Sequence, residues 1–359
     1  MKIKNMIAKR FMMIVTLLSL CAFGTNAYAE YNIRFSEIGP PRGARAEVMK
    51  WWASEIEKRT EGEVKIEFFW SQALTKGKDT LRAVGTGLSD AGTIMGLYNP
   101  AEVPIWNYGS LPFVAGDVWV TLRTWQELQQ TMPELQAEMK KNNVHILTNY
   151  TTGQSDLISK FPIRTAADLK GKKIRGSGYY ITLMNNLGAV PVNIGMGDIY
   201  QALDRGTVDG ATAYTYAVKA YKFHEVIGYV TEANMGMVPG FGGGINLDLW
   251  ESMPENIRQV ITHVSDEFID RLAEALIKSS ATARAELEAG IDGKAVEVST
   301  LDPAEREKWK EASIELVDEW KKLVSSKGLD PERIIEQVNA TTAKYQKELE
   351  EKGYPWTRK

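Results

Sequence analysis

After Pro254 the chain runs to Gly290 without another glycine or proline. Apolar residues recur along it at helical spacing, through Ile257, Val260, Ile261, Val264, Phe268, Leu272 and Leu276. More than 30 residues of helix make a rod on the order of 45 to 50 Å long, enough to span two lobes. Ser252-Met253-Pro254-Glu255 reads as the capping box that opens it, with proline in the first turn. Two more helices start at Asp302-Pro303 and Asp330-Pro331. Trp309, Val317, Trp320 and Leu323 stripe the first, and Ile334, Val338, Tyr345 and Leu349 the second, which reads as packing.

Upstream of the rod, strand and helix patterns alternate. Ile33 and Phe35 alternate with polar neighbours, Val48, Trp52 and Ile56 return to helical spacing, and Val64, Ile66 and Phe68 alternate again. Leu81 and Val84 mark a helix that stops at Gly85 and Gly87, before a buried strand over 90–95. Leu122, Trp125, Leu128, Met132 and Leu135 form one long amphipathic stripe, followed by a strand over 144–149. This is the rhythm of an open α/β sheet. A weak internal repeat, residues 83–92 against 202–211, reads helix, glycine stop, aspartate, strand in both copies and suggests two similar α/β lobes; the plain alternative is coincidence among common helix-end residues.

Lys2, Lys4, Lys9 and Arg10 precede an apolar run over 11–23, and Ala27-Tyr28-Ala29 has the small-x-small form of a cleavage site. This predicts a secretory signal peptide over 1–29 and an exported protein. Lipidation at Cys21 is the alternative, disfavoured by Leu20 where a small residue belongs. Cleavage would remove four basic residues and no acidic ones, leaving 39 basic against 46 acidic, net −7. That balance argues against a nucleic-acid partner. It would also remove the only cysteine, so a large buried core must hold 330 residues together without disulfides.

Catalytic patterns are missing. The three histidines, His145, His224 and His263, lack metal-ligand spacing, and there is no Gly-x-Ser-x-Gly elbow. Gly176-Ser177-Gly178 puts Ile181 where a dinucleotide fold needs its third glycine, and Gly77-Lys78 is followed by Asp79 rather than Ser or Thr, so neither cofactor nor nucleotide is expected. Gly240-Phe241-Gly242-Gly243-Gly244 falls after a strand ending near Val238; it reads as a hinge, a close-approach wall of a cleft, or a plain strand-loop turn.

One charged residue stands out against this background. Arg175 closes the run Asp168-Leu169-Lys170-Gly171-Lys172-Lys173-Ile174-Arg175 and is followed by Gly176-Ser177-Gly178. A guanidinium fits a carboxylate bidentately, and the flanking glycines allow close approach. Ile174 points into its lobe, which turns Arg175 the other way, at the strand end where ligands of α/β sheets collect. The competing reading is a surface arginine paired to a nearby carboxylate.

These residues carry a resemblance. With Leu74-Thr75-Lys76-Gly77-Lys78-Asp79-Thr80-Leu81, Gly87-Leu88-Ser89-Asp90, Leu111-Pro112-Phe113, Ile199-Tyr200-Gln201-Ala202-Leu203 and Gly206-Thr207-Val208-Asp209-Gly210, the chain resembles the DctP-like solute-binding proteins of tripartite ATP-independent periplasmic (TRAP) transporters. The resemblance implies an α/β, two-lobed periplasmic binding protein fold with a ligand cleft between the lobes and a long helix spanning both. The lobes are then expected as 30–152 and 239–280 for the first and 153–238 for the second, with 281–359 as the second lobe's return and the C-terminal helices. It places the exported protein in the periplasm and implies capture of a small organic carboxylate, no enzymatic activity, no cofactor, and delivery to the small and large membrane permease subunits.

By the resemblance Arg175 pairs the ligand carboxylate, and Met196 falls at an apolar pocket position. Ala213 stands where many members carry asparagine, and Ser155 where some carry a second arginine. Gly178, Tyr98, Tyr214 and Phe241 complete the candidate ligand-binding set. With one full cationic clamp and several aromatics, including Tyr216, the favoured ligand is a monocarboxylate bearing a bulky or aromatic group. A dicarboxylate or sugar acid is the alternative; an ABC-type binding protein or an exported enzyme is less favoured.

Overall fold

A computed structural model describes residues 31–358. The proposed signal peptide and Cys21 lie outside them.

The first sheet forms as the alternation predicts. Strands β1 (Tyr31–Ser36) and β2 (Val64–Phe69) flank helix α1 (Ala44–Arg59), and α2 (Thr80–Gly85) leads into β3 (Ala91–Met95). Helices α3 (Val118–Thr131) and α4 (Pro133–Lys141) precede β4 (Val144–Tyr150). The single stripe expected over 122–135 is thus two helices. Proline disfavours helical geometry in the residue before it, and Met132 is extended at φ −100°, ψ 104°.

The chain then crosses to a second sheet containing β5 (Asp156–Ser159), β6 (Lys173–Gly176), β7 (Val190–Asn193), β8 (Gly210–Ala213) and β9 (Tyr229–Glu232), with helix α5 (Ile199–Asp204) before β8. It returns through β10 (Phe241–Asn246), follows the long α6 (Glu255–Ala289), and adds β11 (Glu297–Thr300) to the second sheet. Strand orders are β2-β1-β3-β10-β4 and β11-β9-β5-β8-β6-β7. The internal repeat survives folding: α2–β3 and α5–β8 are equivalent units, with Gly87 and Gly206 at φ 72° and 70° in the two turns.

Residues 241–244 are not a loop. The preceding strand ends at Glu232, and Gly242, Gly243 and Gly244 lie in β10, antiparallel to both β3 and β4 inside the first sheet. A Cβ on Gly242 would stand 2.6 Å from the Thr148 carbonyl oxygen, and one on Gly244 2.6 Å from Ile94. Glycine is what lets the neighbouring strands and side chains close over it.

Two chain segments cross between the sheets side by side, 151–155 and 233–240. Ser155 N–H donates to the Gly236 carbonyl (2.7 Å), Met235 N–H donates to the Ser155 carbonyl (2.9 Å), and Val238 N–H donates to Thr152 Oγ1 (3.0 Å). The third link is α6, 35 residues and about 52 Å long. Its first half packs on the first lobe, where Trp52 Nε1 donates to Ser265 Oγ (3.0 Å). Near its end Arg284 reaches Glu232 of the second (2.7 Å). The expected capping box does not form: Pro254 occupies the N-cap, and Ser252 Oγ donates back to the Leu249 carbonyl.

The C-terminal region departs from expectation in one respect. The helix expected from Asp302 onward breaks at Ala312 and Ser313 into α7 (Pro303–Glu311) and α8 (Ile314–Ser326), followed by α9 (Pro331–Lys352). The first part of this region meets the second lobe, where Glu305 accepts from Ala166 N–H (2.8 Å) and Glu315 from Asn186 Nδ2 (2.6 Å). Farther on it docks on the first: Trp320 Nε1 donates to the Pro104 carbonyl (2.7 Å), and Tyr345 stacks edge-on against Trp119.

Candidate functional site

β6 carries Arg175 into the interior, 3 % exposed. Its Nε donates to the Ile194 carbonyl (2.8 Å), and Nη1 to the Thr212 carbonyl (3.1 Å), on the segments beside β6. Among the described residues no carboxylate lies within 4.0 Å of it, which removes the surface ion pair as an explanation. A guanidinium has five N–H donors, and these two bonds leave capacity for an acceptor. Arg175 also acts on Tyr214: burial pushes that phenol well above its ordinary pKa, and the guanidinium opposes the rise.

The lobes meet around a cavity of about 350 Å3. Met196, Tyr214 and Phe241 are in its wall, as are Met95, Tyr216 and Tyr221. Arg175 is not part of the wall; Tyr214 is. Ser155 and Ala213 are also outside it. Ser155 ties the crossing segments together, and Ala213 ends β8 opposite Asp156. Gly178 and Tyr98 mark where the lobes touch. At φ 52° Gly178 lies so close to Leu97 that a Cβ would stand 2.7 Å from its side chain. Tyr98 Oη accepts a hydrogen bond from Met196 N–H (2.9 Å). Nearby, Lys78 Nζ donates across to the Asn193 carbonyl (3.2 Å).

Sequence reasoning missed the charged residues of the wall, Arg42, Arg45, Lys219 and Glu286, of which Lys219 and Glu286 pair with each other at 2.7 Å. Arg45, in the first turn of α1, lines the cavity beside Phe241 and stands over that ring at 5.2 Å. Its Nη2 pairs with Glu37 Oε1 at 2.8 Å. Glu37 is fully buried and oriented: Oε1 also accepts from Gly39 N–H (2.6 Å), and Oε2 accepts from Thr93 Oγ1. Burial opposes the charge on Arg45, but Glu37 outweighs it and the guanidinium pKa is raised. Burial likewise pushes Tyr221 up and Tyr216 up to about 12, with Arg45 opposing both, so these phenols stay protonated. The available signal was the small-residue setting Gly43-Ala44-Arg45-Ala46, which resembles the glycines around Arg175.

The arrangement suits binding. Among the described residues no group of three His, Cys, Asp or Glu is placed to hold a metal ion, and no helix is long and apolar enough to cross a membrane.

Comparison with known proteins agrees with this geometry. The family model DctP, bacterial extracellular solute-binding protein family 7, matches residues 35–323. The C4-dicarboxylate-binding periplasmic protein DctP of Rhodobacter capsulatus is 26 % identical over 332 residues, covering 91 % of this chain and 96 % of that one. A TRAP periplasmic solute-binding protein from Desulfovibrio salexigens superposes with a TM-score of 0.70 at 26 % identity, covering 88 % of this chain and 97 % of that one. A TRAP solute-binding protein from Rhodoferax ferrireducens, in complex with copurified benzoate, gives 0.77 at 23 %, covering 88 % and 98 %.

Proposed function

The chain belongs to the DctP family, bacterial extracellular solute-binding protein family 7, as a solute-binding protein of the TRAP type, and from that premise we propose that it captures a small organic carboxylate by closing its lobes and hands it unchanged to a membrane permease. The single observation that carries this reading is Arg175, a buried guanidinium with no carboxylate partner among the described residues, beside Tyr214 in the wall of the cavity between the lobes. The carboxylate takes the donors that the Ile194 and Thr212 carbonyls leave unused. Because Tyr214 rather than open cavity adjoins Arg175, binding includes a turn of that ring.

Charge-assisted hydrogen bonds contribute roughly 1.5 to 3 kcal/mol each, so a bidentate pair with apolar burial reaches the about −8 kcal/mol of a micromolar site. Met196, Tyr214 and Phe241 form the apolar remainder, and Tyr98 and Gly178 serve closure. Ser155 and Ala213 act from the hinge and the strand end. A ligand that contacts both lobes only when they are closed draws the equilibrium to the closed state. The protein works in the periplasm after loss of residues 1–29, with the small and large permease subunits as partners.

We favour a monocarboxylate with an aromatic group. The cavity volume lies near the lower end of the roughly 300 to 1,000 Å3 range of ligand sites, and its mostly apolar wall carries the rings of Tyr214, Tyr216, Tyr221 and Phe241. The benzoate held by the R. ferrireducens protein supports the same chemistry. A dicarboxylate is the second reading, favoured by the R. capsulatus relative and by the second guanidinium, Arg45. A thermal-shift screen separates them: aryl and indolyl carboxylates raise the melting temperature. Stabilisation by succinate or uronates alone overturns the aromatic preference, and stabilisation by no carboxylate overturns the function.

A further inference from the structure

Each lobe brings one guanidinium to this region, Arg45 in the cavity wall and Arg175 buried beside Tyr214, and the two are held differently. Arg175, from the second sheet, is fixed by neutral carbonyls and keeps its full charge for a ligand. Arg45, from the first lobe, is already neutralised by Glu37. Glu37 in turn is saturated by Gly39, Thr93 and Arg45, so it acts as a fixed counter-charge rather than as a ligand group. Glu37 takes one donor position of Arg45, and Met49 Sδ, at 3.7 Å from Nη1, is a weak partner for another. The remaining N–H groups belong to a residue in the cavity wall.

We propose that Arg45, oriented by Glu37, reads a neutral hydrogen-bond acceptor at the end of the ligand away from its carboxylate. The site thereby selects acids bearing a hydroxyl or carbonyl over the unsubstituted acid and over dicarboxylates. This rests on the reading that Arg175 holds the ligand carboxylate. The selectivity follows from charge. An unsubstituted acid that displaces water from the cavity leaves the remaining Arg45 donors without an acceptor, and that mismatch is costly once the lobes close over it. A second carboxylate would satisfy them but would bring a further anion beside buried Glu37, where low polarisability strengthens repulsion. A hydroxyl or carbonyl oxygen satisfies the donors and adds no net charge. The protonated phenols of Tyr216 and Tyr221 in the same wall add donors, which again favours an acceptor.

The test is isothermal titration calorimetry on the mature protein with two matched series. One is benzoate, 3- and 4-hydroxybenzoate and terephthalate; the other is butyrate, 4-hydroxybutyrate and succinate. In at least one series the hydroxy acid is expected to bind about 10-fold or more tightly than both its parent and the dicarboxylate, the scale of one hydrogen bond to a charged donor. Because Arg45→Met alone would leave Glu37 buried without its counter-charge, the informative variant is E37Q/R45M, whose fold is checked by circular dichroism. It should bring the hydroxy acid and its parent within about 2-fold of each other, the hydroxy acid losing its acceptor contact and the parent losing its mismatch. A wild-type preference for the dicarboxylate or the unsubstituted acid overturns the proposal, as does a hydroxyl preference that survives in E37Q/R45M. Should E37Q/R45M not fold, R45K takes its place and must narrow the hydroxyl preference at least several-fold, since it removes the fork but keeps the charge. Discrimination confined to the butyrate series leaves Arg45 in its role and removes the aromatic preference. Failure of every acid to bind ends both readings.

Discussion

Tyr98 of the first lobe accepts a hydrogen bond from the backbone N–H of Met196 in the second, 2.9 Å across the mouth of the cleft. The bond exists only while the lobes are together, so it stabilises closure and contributes nothing to the open form.

Replacing Tyr98 with Phe removes that acceptor and keeps the ring. Closure weakens by about 1 kcal/mol, so ligand affinity should fall roughly 5-fold. Stopped-flow kinetics should place the loss in the dissociation rate, with little change in association. An unchanged dissociation rate means the bond plays no part in retention.

Arg175→Lys keeps the charge but loses the planar fork. Calorimetry should show carboxylate binding weakened by about 10-fold or more. Arg175→Ala should abolish it, with some loss of stability, because the Ile194 and Thr212 carbonyls lose their donors. Undiminished affinity in both variants takes Arg175 out of the site.

Gly242→Ala tests the central glycine strand. The added methyl meets a backbone carbonyl, which cannot step aside, so stability should fall by about 1 to 3 kcal/mol in chemical denaturation. Gly228 serves as control: nothing lies within 4 Å of a Cβ built there, and alanine should be neutral or slightly stabilising. Equal effects at the two positions contradict the packing argument.

Asp156 sits at the start of β5, beside the crossing segments. Burial pushes its carboxyl up to about 7, against the opposing hydrogen bonds from Thr215 Oγ1 (2.6 Å) and Asn234 N–H (3.2 Å). A folded-state pKa above the ordinary 3.8 means the folded protein binds the proton more tightly than the unfolded chain. Stability is therefore lost as pH rises from about 4 to 7, by on the order of 4 kcal/mol from this group. Asp156→Asn removes the titration, so its melting temperature relative to wild type should climb across that window. A constant difference from pH 4 to 8 refutes the assignment.

The sequence made regular elements legible wherever side-chain periodicity was present. Ile33 and Phe35, Val64 to Phe68, and the stripe from Ile257 to Leu276 all fold as their spacing predicts. It failed where a local backbone effect interrupts a continuing stripe, as Pro133 does at Met132. It left the structure open where there is no side chain to carry a period: Gly242-Gly243-Gly244 reads as a hinge, a cleft wall or a turn, and lies in a strand inside a sheet. Of the candidate residues, the strand that carries Arg175 was legible from its own pattern and glycines. Arg45 was not, because α1 is rich in charged residues and only the approach of β10 and the 214–221 segment makes one of them a wall.

The placement of β10 governs the order in which this molecule can assemble. The strand between β3 and β4 arrives roughly 90 residues after β4, once all but β11 of the second sheet has been made. Until then β3 and β4 face a gap with their backbone groups unpaired, and neither can substitute for the missing strand. The first sheet therefore closes late, through contacts of large sequence separation that slow folding. The chain lacks the strand that joins β3 to β4 until about two thirds of it has been made, so the first lobe, begun first, is completed after most of the second.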